Sequence, residues 1–220
     1  MKTVAFVPIK LNNERLPGKN TKCFRNGKPL ITYILDTLKK VKVVDEIYVY
    51  CSDDSICEYL PSHVKFLKRP SYLDLSTTSF NEVLVSFAKD VDADIYVLTH
   101  ATAPFISAGT FEKGVRAITQ NGYDSALSVV KKQEFVWKDG KPFNYDPKAI
   151  PRTQDLEPLY METCGMYVYT QKLIKEERRR IGHRPYMVEV SEIEACDINT
   201  MEDFLLAEAI LESRKWSENE

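Results

Sequence analysis

Val4-Ala5-Phe6-Val7-Pro8-Ile9, running straight into Lys10-Leu11-Asn12-Asn13-Glu14-Arg15-Leu16-Pro17-Gly18-Lys19-Asn20, is the stretch on which the fold turns. The first six residues are nearly continuously apolar rather than alternating, the pattern of a strand covered on both faces. A polar, turn-rich, cationic loop follows, and then Leu30, Ile31, Ile34, Leu35 and Leu38 return at helical spacing. Strand, loop and helix make one unit of a parallel sheet, and the unit recurs. Residues 47–51 and 64–67 read as the second and third strands. Phe80, Val83, Leu84 and Phe87 form a helix face, and residues 95–98 are a fourth strand. Phe111, Val115 and Ile118 mark another helix before a strand at 125–130. This alternation implies an α/β fold: a doubly wound, mainly parallel sheet with helices on both faces.

The rhythm breaks between 131 and 162. Asp139-Gly140, set between Phe135-Val136-Trp137 and Pro142-Phe143, is a hairpin signal, and Pro147, Pro151 and Pro158 make the remainder loop-like. A strand at 166–169, a short charged helix, a strand at 186–190 and a last helix from Thr200 complete the chain, with 217–220 as a frayed tail. The simplest organisation is one domain over 1–220 with a hairpin arm at 131–162.

Composition narrows the partners. Thirty Lys and Arg against 32 Asp and Glu leave a formal charge of -2, so no global basic field draws in nucleic acid or a membrane surface. No stretch approaches the length needed to cross a bilayer. The five cysteines are odd in number and include no Cys-x-x-Cys pair, which argues against a disulfide framework or a thiolate zinc site. The apolar run at the start is too short and too interrupted for a secretory signal. A cytoplasmic protein with reduced thiols is expected.

In open α/β sheets, ligands bind where strands end and loops begin. Lys10, Arg15 and Lys19 lie within ten residues of one another, beside Asn13, Asn20 and Gly18, in the loop after the first strand. Such a loop suits a polyphosphate, because cations neutralise charge while a turning backbone presents N–H donors. It is neither a Walker loop nor a Gly-x-Gly-x-x-Gly fingerprint. Taken alone, the three cations fit a merely solvated basic loop equally well.

The wording of the loop decides between the two. Arg15-Leu16-Pro17-Gly18-Lys19 followed by Asn26-Gly27-Lys28-Pro29-Leu30 resembles the signature of the sugar-acid cytidylyltransferases, the CMP-N-acylneuraminate and CMP-Kdo synthetases. Ser52-Asp53, Arg69-Pro70, Thr77-x-Ser79, Thr102-x-Pro104, Pro151-Arg152-x-Gln154, Gly165 and Asp197-Ile198-Asn199-Thr200 follow in the family's order. The resemblance therefore spans nearly the whole chain. It implies a Rossmann-like nucleotidyltransferase sheet on which a sugar acid's hydroxyl attacks the α-phosphate of CTP, releasing pyrophosphate and a CMP-sugar. Transfer of this kind needs charge neutralisation and in-line positioning more than covalent help.

By position, the resemblance implies that Lys10, Arg15, Lys19 and Asp197 carry the chemistry. Ile9, Asn13, Asn20, Arg69 and Ser79 fall where the family contacts the nucleotide. Ser79 also forms a capping box with Glu82 at a helix start, and the two roles are compatible. Asp197 aligns with a carboxylate that binds Mg²⁺, with Mn²⁺ as a substitute, and Asn199 stands where one branch offers a second Asp. An amide oxygen there implies a weaker or water-mediated metal contact. His100 takes a place where sialic-acid enzymes carry Gln: an acceptor contact, or a satisfied strand-end histidine. Arg152 and Gln154 are candidates for the sugar, Arg152 for its carboxylate.

The acceptor side departs from the sialic-acid pattern. Glu162 stands at an Arg position and Cys164 at an Asn position, which leaves the identity of the acidic sugar open. Cys164 is expected to be a buried inert thiol, and the run 175–180 a solvated helix face. Relatives exchange an arm like 131–162 across a two-fold axis, so a homodimer is expected. Two other readings compete: transfer to a sugar phosphate, and a non-catalytic nucleotide-binding regulator.

Overall fold

The structure, a computed structural model, describes residues 1–217, with side chains through Ser213. At its centre β1 (Thr3–Ile9) pairs in parallel with β2 (Glu46–Cys51) on one side and β4 (Ile95–Leu98) on the other. β3 (Val64–Lys68) extends the sheet beyond β2; β8 (Leu159–Thr170), β5 (Ser125–Lys132) and β9 (Pro185–Glu189) extend it beyond β4. The order is β3-β2-β1-β4-β8-β5-β9. β8 is antiparallel to both its neighbours, and every other pairing in this sheet is parallel.

The period of two along each strand feeds two cores. Ala5, Val7 and Ile9 face α1 (Leu30–Lys39) and α3 (Ala108–Asn121), where Ile31, Ile34, Leu35, Phe111 and Val115 are buried. Val4 and Phe6 face α2 (Phe80–Asp90) and α4 (Gln171–Glu177), and Phe6 stacks on Phe87 with centroids 4.0 Å apart. Burying one such side chain is worth about 1.5–3 kcal/mol, so each helix is held mainly by its apolar stripe. A third cluster joins Leu16, Phe24 and Leu30 to Ile198, Phe204 and Ala207, docking α5 (Met201–Ser217) beside the cationic loop.

The hairpin forms at Asp139-Gly140, both with positive φ, as β6 (Trp137–Lys138) and β7 (Lys141–Pro142), apart from the main sheet. The arm is shorter at its base than the loop signals suggest. Lys131 and Lys132 pair with Tyr160 and Leu159, so both ends of 131–162 belong to the sheet. Gly165 lies inside β8 rather than at its start. Of the expected frayed tail, residues 218–220 lie outside the described residues, and Ser217 ends α5.

Candidate active site

A cleft of about 380 Å³ opens at the carboxyl ends of β1 and β4, where the strand order reverses and open α/β sheets bind their ligands. Lys10, Asn13, Arg15, Lys19 and Asn20 line it from the loop after β1. His100 and Thr102 enter from the loop after β4, Cys164 from β8, and Asp197 and Asn199 from the approach to α5.

The β1 loop is held by what surrounds it. Gly18 adopts φ 66, a left-handed conformation that lets the chain reverse into a short 3-10 turn at Lys19–Thr21. The turn buries Asn20, whose amide donates to the Lys10 carbonyl at 3.0 Å. It also aims the Lys19 ammonium at the Ile198 carbonyl, 3.0 Å away. Ile198 is fully buried in the third core cluster, which fixes its two polar neighbours. Arg15 donates through Nη2 to Asn199 Oδ1 at 2.7 Å, and Asn199 Nδ2 donates to Asp197 Oδ2 at 2.6 Å. One continuous chain thus runs from guanidinium through amide to carboxylate.

Asp203 Oδ2 accepts from the backbone N–H groups of Asn199 and Thr200 and from the Thr200 hydroxyl, closing the first turn of α5. Burial raises the Asp203 carboxyl, but these hydrogen bonds outweigh it and hold the group below its ordinary value. Burial lowers the Lys19 pKa; Asp197 opposes that shift, Arg15 adds to it, and Asp203 opposes it. The His100 ring is half-buried, and burial, with the Arg180 charge next in weight, brings it down to about 4. Asp197 pulls the other way and Lys19 adds to the fall. His100 is therefore neutral at pH 7.

The donor set for a divalent ion is small. The Asn199 amide bridges Arg15 and Asp197, which leaves the Asp197 carboxylate as the one charged oxygen donor in the cleft lining. Among the described residues no group of three His, Cys, Asp or Glu side chains could hold an ion. One carboxylate completed by substrate phosphates and water is nonetheless a donor set that magnesium accepts.

The β8 wall is irregular. Leu127 faces Tyr167, yet Val129 faces Glu162, so residues 163–166 bulge opposite Ser128. Ser128 Oγ fills the broken ladder, accepting from Met166 N at 2.9 Å and lying 2.7 Å from Thr163 Oγ1. The bulge gives Cys164 a φ of 56 and puts it on the cleft wall, half-buried, where the flanking residues had predicted a buried thiol. A Cβ on Gly165 would meet Ile106 Cδ1 at 2.8 Å, so a side chain there would force the buried Ile106 tip to move. Glu162 is exposed and accepts the Tyr167 hydroxyl at 2.6 Å.

The remaining candidates lie elsewhere. Ile9 is buried at the end of β1. Arg69 is 4% exposed and paired with Asp74, which also accepts from Ser52; its Nε has no partner among the described residues. Ser79 caps α2 through the capping box with Glu82. Arg152 is exposed and held by Asp155 at 2.7 and 3.0 Å, and Gln154 is exposed beside it. None of these five lines the cleft. The run 175–180 is only partly a helix face: α4 stops at Glu177 and Arg178 is left-handed, which returns Arg180 towards the sheet. The sequence reading missed Arg180, for a basic run carries no sign of where its helix will end.

This architecture is shared with solved nucleotidyltransferases. A CMP:2-keto-3-deoxy-manno-octonic acid synthetase complexed with CTP matches with a TM-score of 0.71 at 16% identity, over 97% of this chain and 100% of that one. A 4-diphosphocytidyl-2C-methyl-D-erythritol synthase from Anaerococcus prevotii matches with a TM-score of 0.66 at 16% identity, over 96% of each chain. At these identities the likeness is one of fold: the three share one mixed α/β architecture. A model of the family described as Cytidylyltransferase matches residues 4–213, and the chain belongs to that family.

Among curated relatives, N-acylneuraminate cytidylyltransferase A of Danio rerio is 25% identical over 93% of this chain and 49% of its own length. The 3-deoxy-manno-octulosonate cytidylyltransferase 2 of Hydrogenovibrio crunogenus is 25% identical over 96% of this chain and 98% of its own. The CMP-N,N'-diacetyllegionaminic acid synthase of Legionella pneumophila is 25% identical over 96% and 97%. The chain spans about half the length of the N-acylneuraminate relatives it matches and nearly all of the other two.

Proposed function

We propose that this protein transfers CMP from CTP to the hydroxyl of an acidic sugar, in a reaction that requires Mg²⁺ or Mn²⁺. The observation that carries this reading is the meeting of Lys10, Arg15, Lys19 and Asp197, from opposite ends of the chain, around one cleft. In the transfer, the acceptor oxygen bonds to the α-phosphorus, the bond to pyrophosphate breaks, pyrophosphate leaves, and the hydroxyl proton passes to water. Arg15 and Lys19, fixed before substrate arrives, stabilise charge that develops on the phosphates without reorganising. Lys10 adds a third cation at the strand end. Asp197 would hold the metal ion, which when bound neutralises phosphate charge. Neutral His100 can orient the acceptor through a hydrogen bond.

The test is pyrophosphate release with CTP, ATP, GTP and UTP against N-acetylneuraminate, 3-deoxy-manno-octulosonate and sugar phosphates. CTP with a sugar acid should be productive. Turnover of sugar phosphates alone would move the acceptor class, and an inactive protein that binds CTP would be a regulator. A chelator should stop the reaction.

The working form under this proposal is a homodimer. Trp137 is 61% and Phe143 55% exposed on a two-stranded ribbon that is marginal by itself. Tyr160, Met161 and Met187 expose further apolar surface on β8 and β9. Sedimentation at micromolar concentration should give about twice 25.3 kDa, and Asp at positions 137 and 143 should give monomers. Five unpaired thiols accord with a cytoplasmic location. No helix among the described residues is long and apolar enough to cross a membrane.

A further inference from the structure

Arg180 is unexplained by the packing and by the phosphate side of the cleft. Its guanidinium carbon lies 3.6 Å from the centroid of the Tyr167 ring and 5.3 Å from that of Phe80. Phe80 in turn sits against His100, with centroids 5.4 Å apart, and His100 lines the cleft. Arg69, Arg152 and Arg179 each have a carboxylate partner. Arg180 has none among the described residues.

Stacking fixes the plane of a guanidinium but uses none of its N–H groups, so a rigid fork of donors is left for an oxyanion. Tyr167 also links this cation to Glu162, whose carboxylate accepts the Tyr167 hydroxyl at 2.6 Å. Glu162, which stands where the sialic-acid pattern has Arg, is therefore tied to the ring on which Arg180 lies. His100 feels the charges of Arg180, Asp197 and Lys19 together; it shares the cleft lining with the last two and touches Phe80, against which Arg180 lies. His100 thus connects the cationic loop, through Phe80, to a region with a single unpaired cation.

We propose that Arg180 receives the carboxylate of the acidic acceptor, with Tyr167 and Phe80 holding its guanidinium in place. Arg152, taken up by Asp155, is not that residue in its own chain's site. The proposal rests on reading the cleft as a sugar-acid cytidylyltransferase site.

The experiment compares wild type, Arg180→Met and Arg180→Lys with N-acetylneuraminate, 3-deoxy-manno-octulosonate and their methyl esters. For whichever acid is used, Arg180→Met should raise its KM about 10- to 100-fold, the range expected for a lost charge-assisted pair. The KM for CTP should stay within about twofold. Arg180→Lys should recover part of the loss. The methyl ester should be as poor for wild type as the acid is for Arg180→Met, and the variant should lose nothing further with the ester. An unchanged KM for the acid, or equal losses with acid and ester, overturns the proposal. If wild type turns over neither acid, the reaction reading fails separately. Calorimetry of the acids and esters in the presence of CMP then decides on Arg180: carboxylate-dependent binding lost in Arg180→Met and partly kept in Arg180→Lys supports it, and its absence in wild type or its survival in Arg180→Met overturns it.

Discussion

On its β1 side, the cleft is lined by a loop tied to the approach of α5 through Arg15–Asn199, Asn199–Asp197 and Lys19–Ile198 hydrogen bonds, above a small apolar cluster. On its β8 side, it is lined by the left-handed Cys164 of a bulge, and behind that lie an exposed Glu162 and a cation stacked on Tyr167. The first wall sets several charges in advance around a place suited to a polyphosphate. The second shapes a surface through backbone irregularity and ring stacking. Chemistry common to all acceptors needs fixed charge, whereas choice among acceptors needs shape, and under the proposed function the two walls would divide along that line.

The comparison is broken most severely from the first wall. Asp197→Ala should lower kcat about 10²–10³-fold, as for loss of a preorganised electrostatic group. Its melting temperature should stay near wild type, and steady-state pyrophosphate release with thermal melts checks both. From the second wall the cost should appear in stability. Gly165→Ala forces a Cβ against Ile106 and should destabilise by about 1–3 kcal/mol, read from urea unfolding.

His100, which lies between the walls, sharpens the picture. Its folded pKa of about 4 is below the ordinary value of 6.5, so between those values the unfolded chain binds more protons. Stability then falls as pH drops through that window. Denaturation in metal-free buffer should show wild type losing about 1–2 kcal/mol more than His100→Gln between pH 7 and pH 5. The smallest effect belongs to Cys164→Gly, which relieves the left-handed conformation and should stabilise by up to about 1 kcal/mol. A destabilisation there would mean that the thiol's own contacts, including the Tyr167 hydroxyl at 3.7 Å, outweigh the strain.

Much of the first wall was legible because its information is local. The buried strand, Arg15-Leu16-Pro17-Gly18-Lys19 and Asp197-Ile198-Asn199-Thr200 each announce themselves over a few residues. What the local reading does not show in that wall is the partner of Asn199, whose amide oxygen accepts from Arg15, far away in sequence. The second wall depends on pairing register. Nothing near Cys164 announces that four residues of β8 stand opposite Ser128 alone, or that β8 runs antiparallel between β4 and β5.

The sequence by itself determined the alternating strands and helices, the two faces of the sheet, the hairpin at Asp139-Gly140 and the cations at the end of β1. Periodicity, turn chemistry and charge all act over a few residues, so the chain carries them openly. Only the tertiary structure decided that Arg180 leaves its helix to stack on Tyr167, that Arg152 is spent on Asp155, and that Cys164 reaches the cleft. Those outcomes depend on where helices stop and how distant strands register, and both are set by the packing of the whole domain.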